Sequence, residues 1–529
     1  MLYFTHLSFF LLSVEKYLIM SSSENASRAA SELLLENPLC HATDLGKPIP
    51  NTAHAISVAL PLWSHVIGYE EGDAEIVDKM ACGYPRFFVH PFVEKLMAQV
   101  VKNYGKPTDL CLLFPSISVA HRCIAYIVKN QSDASVTIAT PYDGIFAVIF
   151  HESLLEIAKE FWRYAGDNVS SRQVEDVLEK RQPDVAAGQV AIAAIKADLA
   201  RLYHIDSEDV YLFPTGMTAS YMAQRILTHC FPGLKTCQLG FPYVDVLRVQ
   251  KAFGTGVHFF NDVADVSQVE KLLITEKLAG VYTEFTSNPL LNCTDLPALS
   301  TLLKKYKVPL VVDDTIATVV NSNVIAYGDL ITTSLTKSYS GVGDVIAGSL
   351  VLNPASPFYV TFKKVMDELY ECNLYSADAV VLARNGHDFE KRIQQINKTA
   401  QQLCEYLAVQ SWVDEIYYPT ISCDVLYQKG LKSGGGGAGL FSIVLKSPEE
   451  NSPQFYDALQ LTKGPSLGTN FTLCCPYTML AHYDELEWVA SIGVSPYLIR
   501  VSVGLESLST LIARFDAASE NINQESYRE

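Results

Sequence analysis

Lys337 lies in the run Ser334-Leu335-Thr336-Lys337-Ser338, with hydroxyl residues one and three positions before it. At a strand end this order suits a site for a phosphorylated aldehyde cofactor. Hydroxyls bind phosphate oxygens, and the amine forms an imine with the aldehyde. A surface lysine in a Ser/Thr loop is the other reading of the same run. Asp313, with Asp314 beside it, ends the apolar run Pro309-Leu310-Val311-Val312. A carboxylate there is costly to desolvate unless paired. A protonated ring nitrogen would pair it; a helix cap or a metal would also use it, but no histidine cluster lies nearby to favour a metal. Phe213-Pro214-Thr215-Gly216-Met217-Thr218-Ala219 stands between a short strand, 209–213, and a helical stretch, 220–227. A glycine at such a turn lets backbone amides close on an anion at the helix N-terminus.

These side chains need strand ends to present them, and the centre of the chain supplies an alternation. Residues 280–285 read as a strand. Residues 295–307 read as a helix, capped by Thr294 or Asp295, with Pro297 in its first turn and Leu299, Leu302 and Leu303 on one face. Residues 309–313 and 329–334 read as further strands. Apolar strands alternating with helices imply a parallel sheet covered on both faces, with ligands at the carboxyl ends of its strands. The glycine run at 433–439 lacks the Gly-Lys-Ser/Thr of a phosphate loop. It reads as a flexible loop entering an edge strand of a second domain.

A chain of 529 residues, 49% hydrophobic, is ample for two or more domains. A net charge of −18 without a long basic run argues against a nucleic-acid partner. The 12 cysteines contain no CxxC pair and read as reduced residues of a cytoplasmic protein. The apolar segment at 2–14 is too short to span a bilayer and has no basic region before it, so neither a membrane anchor nor a signal peptide is expected. The polar residues up to about 50 read as a mobile arm.

Together the motifs resemble the cystathionine γ-synthase family of pyridoxal-phosphate (PLP) enzymes, in the Cys/Met metabolism group. The order is Gly216-Met217, Glu284-x-x-Ser287-Asn288-Pro289, Asp313-x-Thr315, Ser334-x-Thr336-Lys337, Asp344-x-x-x-Gly348 and Arg500-x-Ser502-Val503-Gly504-Leu505-Glu506. The resemblance covers residues 200–510 and a piece around 83–91. It implies an α/β fold of PLP fold type I, aspartate aminotransferase-like, with a large mixed-sheet cofactor domain and a smaller C-terminal α/β domain. On that basis residues 1–95 are an arm contributing to a neighbouring active site, 96–360 the PLP domain with an insertion at about 100–195, and 361–529 the C-terminal domain.

The resemblance also implies roles. Lys337 is the Schiff-base lysine and proton shuttle, and Asp313 pairs with the pyridine nitrogen. Ser334, Thr336 and the amides of Gly216 and Met217 hold the phosphate, and Asn288 lies near the phenolic oxygen. Arg500 clamps the substrate carboxylate, with Ser466 of Pro465-Ser466-Leu467-Gly468 beside it. Tyr84 and Arg86 reach the phosphate of a neighbouring subunit, so a homo-oligomer, dimer or tetramer, is expected. The implied reaction is γ-replacement: cysteine displaces the acyl group of an O-acyl-L-homoserine. A sulfhydrylase, a cystathionine γ- or β-lyase, or a side-chain-modifying enzyme of secondary metabolism would share the motifs, and a silent PLP-fold protein is the alternative of another class.

The chain departs from the family in its details. Where the family stacks a Tyr on the cofactor, this sequence has Gly240-Phe241-Pro242-Tyr243; Phe241 is the expected stacking residue, and Tyr243 would serve with a shifted loop. Roughly 90–100 extra residues separate the Tyr84 segment from Gly216, too many for a loop, and they resemble the long fungal form. Asp314 adds a charge that calls for a cationic partner.

Overall fold

The computed structural model describes residues 22–522, so the apolar segment at 2–14 lies outside it. Part of the expected mobile arm is ordered: Ser22–Glu36 is a helix whose Leu34 packs with Phe471 and Leu473. The strands β1 (Pro48–Ile49) and β2 (Ser57–Val58) form an antiparallel pair. Backbone bonds from Leu60 to Lys463 and from Ile56 to Gly343 fix this region on the body of the chain.

The extra residues form a unit of their own. Strands β3 (Asp109–Phe114), β4 (Val136–Tyr142) and β5 (Ile145–His151) make an antiparallel sheet in the order β3-β5-β4. Alternation along β3 splits its faces. Cys111 and Leu113 pack with Val93 and Leu96 of helix Pro91–Tyr104, while Leu112 and Phe114 join Met217 and Tyr221 of helix Gly216–Cys230. The unit therefore shares a core with the central domain.

The central sheet holds β6 (Val210–Phe213), β7 (Lys235–Leu239), β8 (Val257–Phe260), β9 (Leu278–Glu284), β10 (Leu310–Asp313), β11 (Leu330–Ser334) and β12 (Gly348–Leu352). Its order is β6-β12-β11-β10-β9-β7-β8, parallel except where β12 runs against both its neighbours. Both faces are covered: Val281, Val312 and Ile331 face one core, Tyr282, Val311 and Leu330 the other. The expected helix at 295–307 is Leu296–Tyr306, with the Asp295 side chain accepting from the Ala298 amide.

The C-terminal sheet, β13 (Val413–Tyr417), β14 (Leu440–Leu445), β15 (Thr462–Lys463), β16 (Leu473–Pro476) and β17 (Ile499–Ser502), is ordered β13-β14-β17-β16-β15. The glycine loop leads into β14, which pairs on both sides and is not the expected edge strand. Its burial fits: every residue of β14 is buried.

Candidate active site

The carboxyl ends of β9, β10 and β11 open on one cavity of about 400 Å³. Glu284 ends β9, Asp313 ends β10, and Lys337 follows β11 in the next turn. Gly216 and Met217, the first residues of helix Gly216–Cys230, close one end. A Cβ on Gly216 would stand 2.7 Å from Ser334 Cβ, and one on Gly348 2.3 Å from the Thr215 carbonyl oxygen. Only glycine permits the helix N-terminus to sit this close to the strand ends, where its free amides and dipole favour an anion.

The Lys337 amine donates to Ser466 Oγ at 3.0 Å and lies 4.3 Å from the Tyr84 ring centroid. Burial pushes its pKa down, and the Tyr84 phenol offsets part of that. Burial acts to raise the phenol, but the Lys337 and Arg86 charges outweigh it and hold Tyr84 below its ordinary value. Asp313 accepts from the Thr315 amide at 2.8 Å, has no cation paired with it among the described residues, and is raised by burial. Glu284 is raised well above the carboxylate range by burial and then by Asp313. Its Oε1 takes the Tyr243 amide at 2.6 Å, and its Oε2 has no hydrogen-bond partner of good geometry among the described residues.

On the opposite wall the Arg500 guanidinium, 5% exposed, donates to Asn288 Oδ1 at 3.0 Å and to the Ser466 carbonyl at 2.8 Å. Asn288 in turn donates to the Tyr477 hydroxyl at 3.0 Å, and that ring lies 4.4 Å from Arg500 Cζ. No carboxylate pairs with Arg500 among the described residues. A buried, acid-free guanidinium and a half-buried, cation-free carboxylate in one cavity suit the carboxylate of an amino acid at one end and a cationic cofactor ring at the other. This donor set, with the amine of Lys337 and the glycine-lined anion cradle, fits PLP.

The structure corrects several expectations. Phe241 does not line this cavity. Gly240, at φ 86°, turns the chain after β7, and the Phe241 ring packs on His482 and Trp488, with centroids 5.1 and 5.6 Å away. Tyr243 lines the cavity instead. Thr336 does not line it either: its hydroxyl is occupied with Ala347, donating to the carbonyl at 3.2 Å and accepting from the amide at 3.0 Å. Asp314 is served chiefly by hydroxyls, Tyr203 at 2.7 Å and Thr333 at 2.5 Å, with the Lys432 charge adding a smaller attraction.

Tyr84 and Arg86, expected to reach a neighbouring subunit, enter the cavity of their own chain. Arg86 donates to Asp245 Oδ2 at 2.7 Å and to the Tyr243 hydroxyl at 2.6 Å. Burial acts to raise Asp245, but Arg86 and Arg163 outweigh it and hold it below its ordinary value. Sequence reasoning gave no role to Tyr477, Arg163 or His482, which also line the cavity. No short motif marks them, because packing between distant segments brings them there.

Among proteins of known kind, the model for Cys/Met metabolism PLP-dependent enzymes matches residues 188–520, and that for the fungal trans-sulfuration enzyme N-terminal domain matches 92–170. The chain is 32% identical to a cystathionine gamma-synthase of Neurospora crassa, over 91% of this chain and 99% of that one. It is also 32% identical to a cystathionine gamma-synthase-like enzyme, iboG2, of Amanita muscaria, over 90% and 96%. A crystal structure of cystathionine gamma synthase from Xanthomonas oryzae superposes with a TM-score of 0.55 at 23% identity, covering 63% of this chain and 86% of that one. It shares the fold.

Proposed function

The chain belongs to the Cys/Met metabolism family of PLP-dependent enzymes, and from that premise we propose that it performs γ-replacement, exchanging the acyl group of an O-acyl-L-homoserine, succinyl or acetyl, for L-cysteine to give L-cystathionine. The observation that carries this reading is the placement of the Lys337 amine in one cavity with the acid-free Arg500 and the cation-free Asp313. The synthase among its relatives, matched along nearly its whole length, supports the choice of reaction.

PLP, when bound, supplies an aldehyde that joins the amino acid and a ring that draws electrons from its Cα. Lys337 would hold that aldehyde, Asp313 would face the ring nitrogen and keep it charged, and Gly216, Met217, Ser334 and Arg86 would hold the phosphate. Tyr243, which lines the cavity beside Glu284, is the aromatic placed to cover the ring. Arg500 would grip the α-carboxylate of the incoming amino acid through its planar fork. Ser466 and Asn288 set the direction of that fork. Lys337, lowered by burial, has access to its neutral form and so can take a proton from Cα and then one from Cβ, which lets the acyl group leave Cγ, and return both once the cysteine sulfur has added at Cγ. Tyr84, lowered by its two cationic neighbours, is placed to exchange a proton with that amine.

No helix among the described residues is long and apolar enough to cross a membrane. The 12 unpaired cysteines suit a reducing compartment such as the cytoplasm. A homo-oligomer, dimer or tetramer, is part of the same proposal.

The test offers purified enzyme O-acetyl- or O-succinyl-homoserine, each with cysteine or sulfide, and identifies the products by mass spectrometry. Cystathionine as the main product supports the synthase and names the donor. Homocysteine formed only with sulfide makes it a sulfhydrylase, and no γ-replacement with any pair overturns the proposal.

A further inference from the structure

Cys293 and Cys423 stand 130 residues apart in sequence, yet the Cys293 thiol donates to Cys423 Sγ at 3.6 Å. Two packed backbone segments hold them there. One is the loop after β9, which runs from Phe285 past Asn288 and Cys293 to Asp295, the cap of helix Leu296–Tyr306. The other starts at Cys423 and continues as helix Asp424–Gly430. Phe285 stacks on Tyr427 with ring centroids 5.2 Å apart, and both rings are buried. Lys429 pairs with Asp295, and the Cys423 thiol donates to the Leu291 carbonyl at 3.3 Å.

The two thiols differ in access and in acidity. Cys293 is 0% exposed, whereas Cys423 is half-buried and opens on a surface hollow of about 650 Å³ lined by the central and C-terminal domains. The hydrogen bond from Cys293 holds Cys423 below the ordinary thiol value and raises Cys293. Burial, by contrast, pushes the thiols of Cys111 and Cys237 up to about 12. The thiolate is the nucleophile of sulfur chemistry, so Cys423 is the sulfur placed to attack and Cys293 the one placed to resolve. Asp262 and Asp424 line the hollow, and no lysine or arginine does among the described residues. This charge disfavours an anionic oxidant and leaves access to a small neutral one.

The loop links the pair to the active site. The Ser287 amide donates to the Asn292 carbonyl at 2.8 Å, and the Asn292 amide to Ser287 Oγ at 3.1 Å. These bonds close residues 287–292 into one turn, so a displacement at Cys293 carries to Asn288, which accepts from Arg500 at 3.0 Å.

We propose that Cys423 and Cys293 are a dithiol oxidised by hydrogen peroxide, and that their disulfide displaces the Asn288 loop and loosens the hold of Arg500 on an amino-acid carboxylate. The Cys423 thiolate attacks one peroxide oxygen: the S–O bond forms, the O–O bond breaks, and the departing hydroxide takes the proton released by Cys423 and leaves as water. The Cys293 sulfur then attacks the Cys423 sulfur: the S–S bond forms, the S–O bond breaks, and a second water leaves with the Cys293 proton. The two thiols lose two electrons and the peroxide gains them. The sulfurs close from 3.6 Å to about 2.0 Å, and the Leu291 carbonyl loses its thiol donor. The disulfide rests on the pair alone; its effect rests on the reading of Arg500 as the carboxylate clamp.

The experiment treats reduced holoenzyme with hydrogen peroxide or with oxidised glutathione, digests it without reductant and maps the peptides by mass spectrometry. A linked Cys293–Cys423 peptide, formed faster with peroxide and removed by dithiothreitol, is the expected result. Its absence with both oxidants overturns the proposal, and faster linkage by oxidised glutathione overturns the choice of oxidant. Cys293→Ser should leave a sulfenic acid at Cys423 that dimedone traps, while Cys423→Ser should leave Cys293 unlabelled; the opposite pattern overturns the roles of the two sulfurs. Should a serine variant fail to fold, alanine at the same position gives the same reading. Affinity for an O-acyl-homoserine is read from the change it causes in the visible absorbance of the holoenzyme. Oxidation should weaken that affinity about tenfold or more, with recovery in dithiothreitol and no response to peroxide in Cys423→Ser. Unchanged affinity in protein mapped as disulfide-linked overturns the effect on Arg500. A reduced enzyme whose absorbance responds to no amino acid would remove the reading of the cavity, and the peptide map decides the dithiol separately.

Discussion

The Lys337 amine lies 4.3 Å from the centroid of the Tyr84 ring, and 253 residues of sequence separate the two (337 less 84). Burial lowers the amine and the phenol opposes that fall, so each group tunes the other. In Tyr84→Phe the opposing contribution is lost and the lysine falls further. Its neutral form then extends to lower pH, and the acid limb of PLP uptake should move to lower pH. Turnover should drop about a hundredfold if the phenol exchanges protons with the amine. An absorbance titration of PLP uptake across pH checks the shift; movement of the limb to higher pH would refute the coupling.

Arg500 makes two directed bonds, to Asn288 and to the Ser466 carbonyl, that set the plane of its guanidinium. Arg500→Lys keeps the charge and loses the fork. With one charge-assisted hydrogen bond to a carboxylate lost, kcat/KM should fall between about tenfold and a hundredfold. Most of that loss should appear as a raised KM. Steady-state kinetics decide it, and a fall confined to kcat would place Arg500 elsewhere than on the substrate carboxylate.

What the sequence revealed of this site depended on locality. Asp313 and Lys337 were legible because each follows an apolar strand and stands beside residues of matching chemistry. Gly216 was legible because a strand-to-helix turn is written in consecutive residues. The Phe241 expectation failed because its direction is set by Gly240 at φ 86° and by the hold of Glu284 on the Tyr243 amide, neither visible in composition. Thr336 follows the motif, yet its hydroxyl is spent on Ala347, a residue of the following turn. Arg163 and Tyr84 depend on how the inserted unit docks on helix Gly216–Cys230. That docking is made of apolar contacts such as Phe161 on Tyr221, which the pattern of one segment does not encode.

Asp314 is 0% exposed, and burial pushes its carboxyl from 3.8 up to about 6, with Asp313 adding to the rise and Thr333 and Tyr203 opposing it. Its folded pKa lies above its unfolded one, so between these values the folded chain binds more protons. Stability therefore falls as pH rises through that window, by roughly 3 kcal/mol. Asp314→Asn removes the loss. Above about pH 6 it should be the more stable protein by up to ~3 kcal/mol, with the gap closing below about pH 4. Urea midpoints measured across pH check this; a variant less stable than the parent at high pH would contradict it.

Ser466 holds the Lys337 amine with its hydroxyl while its backbone sits at φ 90°, a region that penalises any Cβ. The two features separate by substitution. Ser466→Ala loses the hydroxyl and keeps the strain; Ser466→Gly loses both. Each should lower turnover about tenfold, since each removes the same hydrogen bond from the amine. Relief of strain exceeds the entropy glycine adds to the unfolded chain, so Ser466→Gly should be more stable than Ser466→Ala by about 1 kcal/mol. Thermal melting of the pair, measured without substrate, tests the backbone argument apart from the chemistry. Equal stabilities would mean that the turn adapts to a Cβ without cost, and the position of Ser466 would then be set by Arg500 and Lys337 alone.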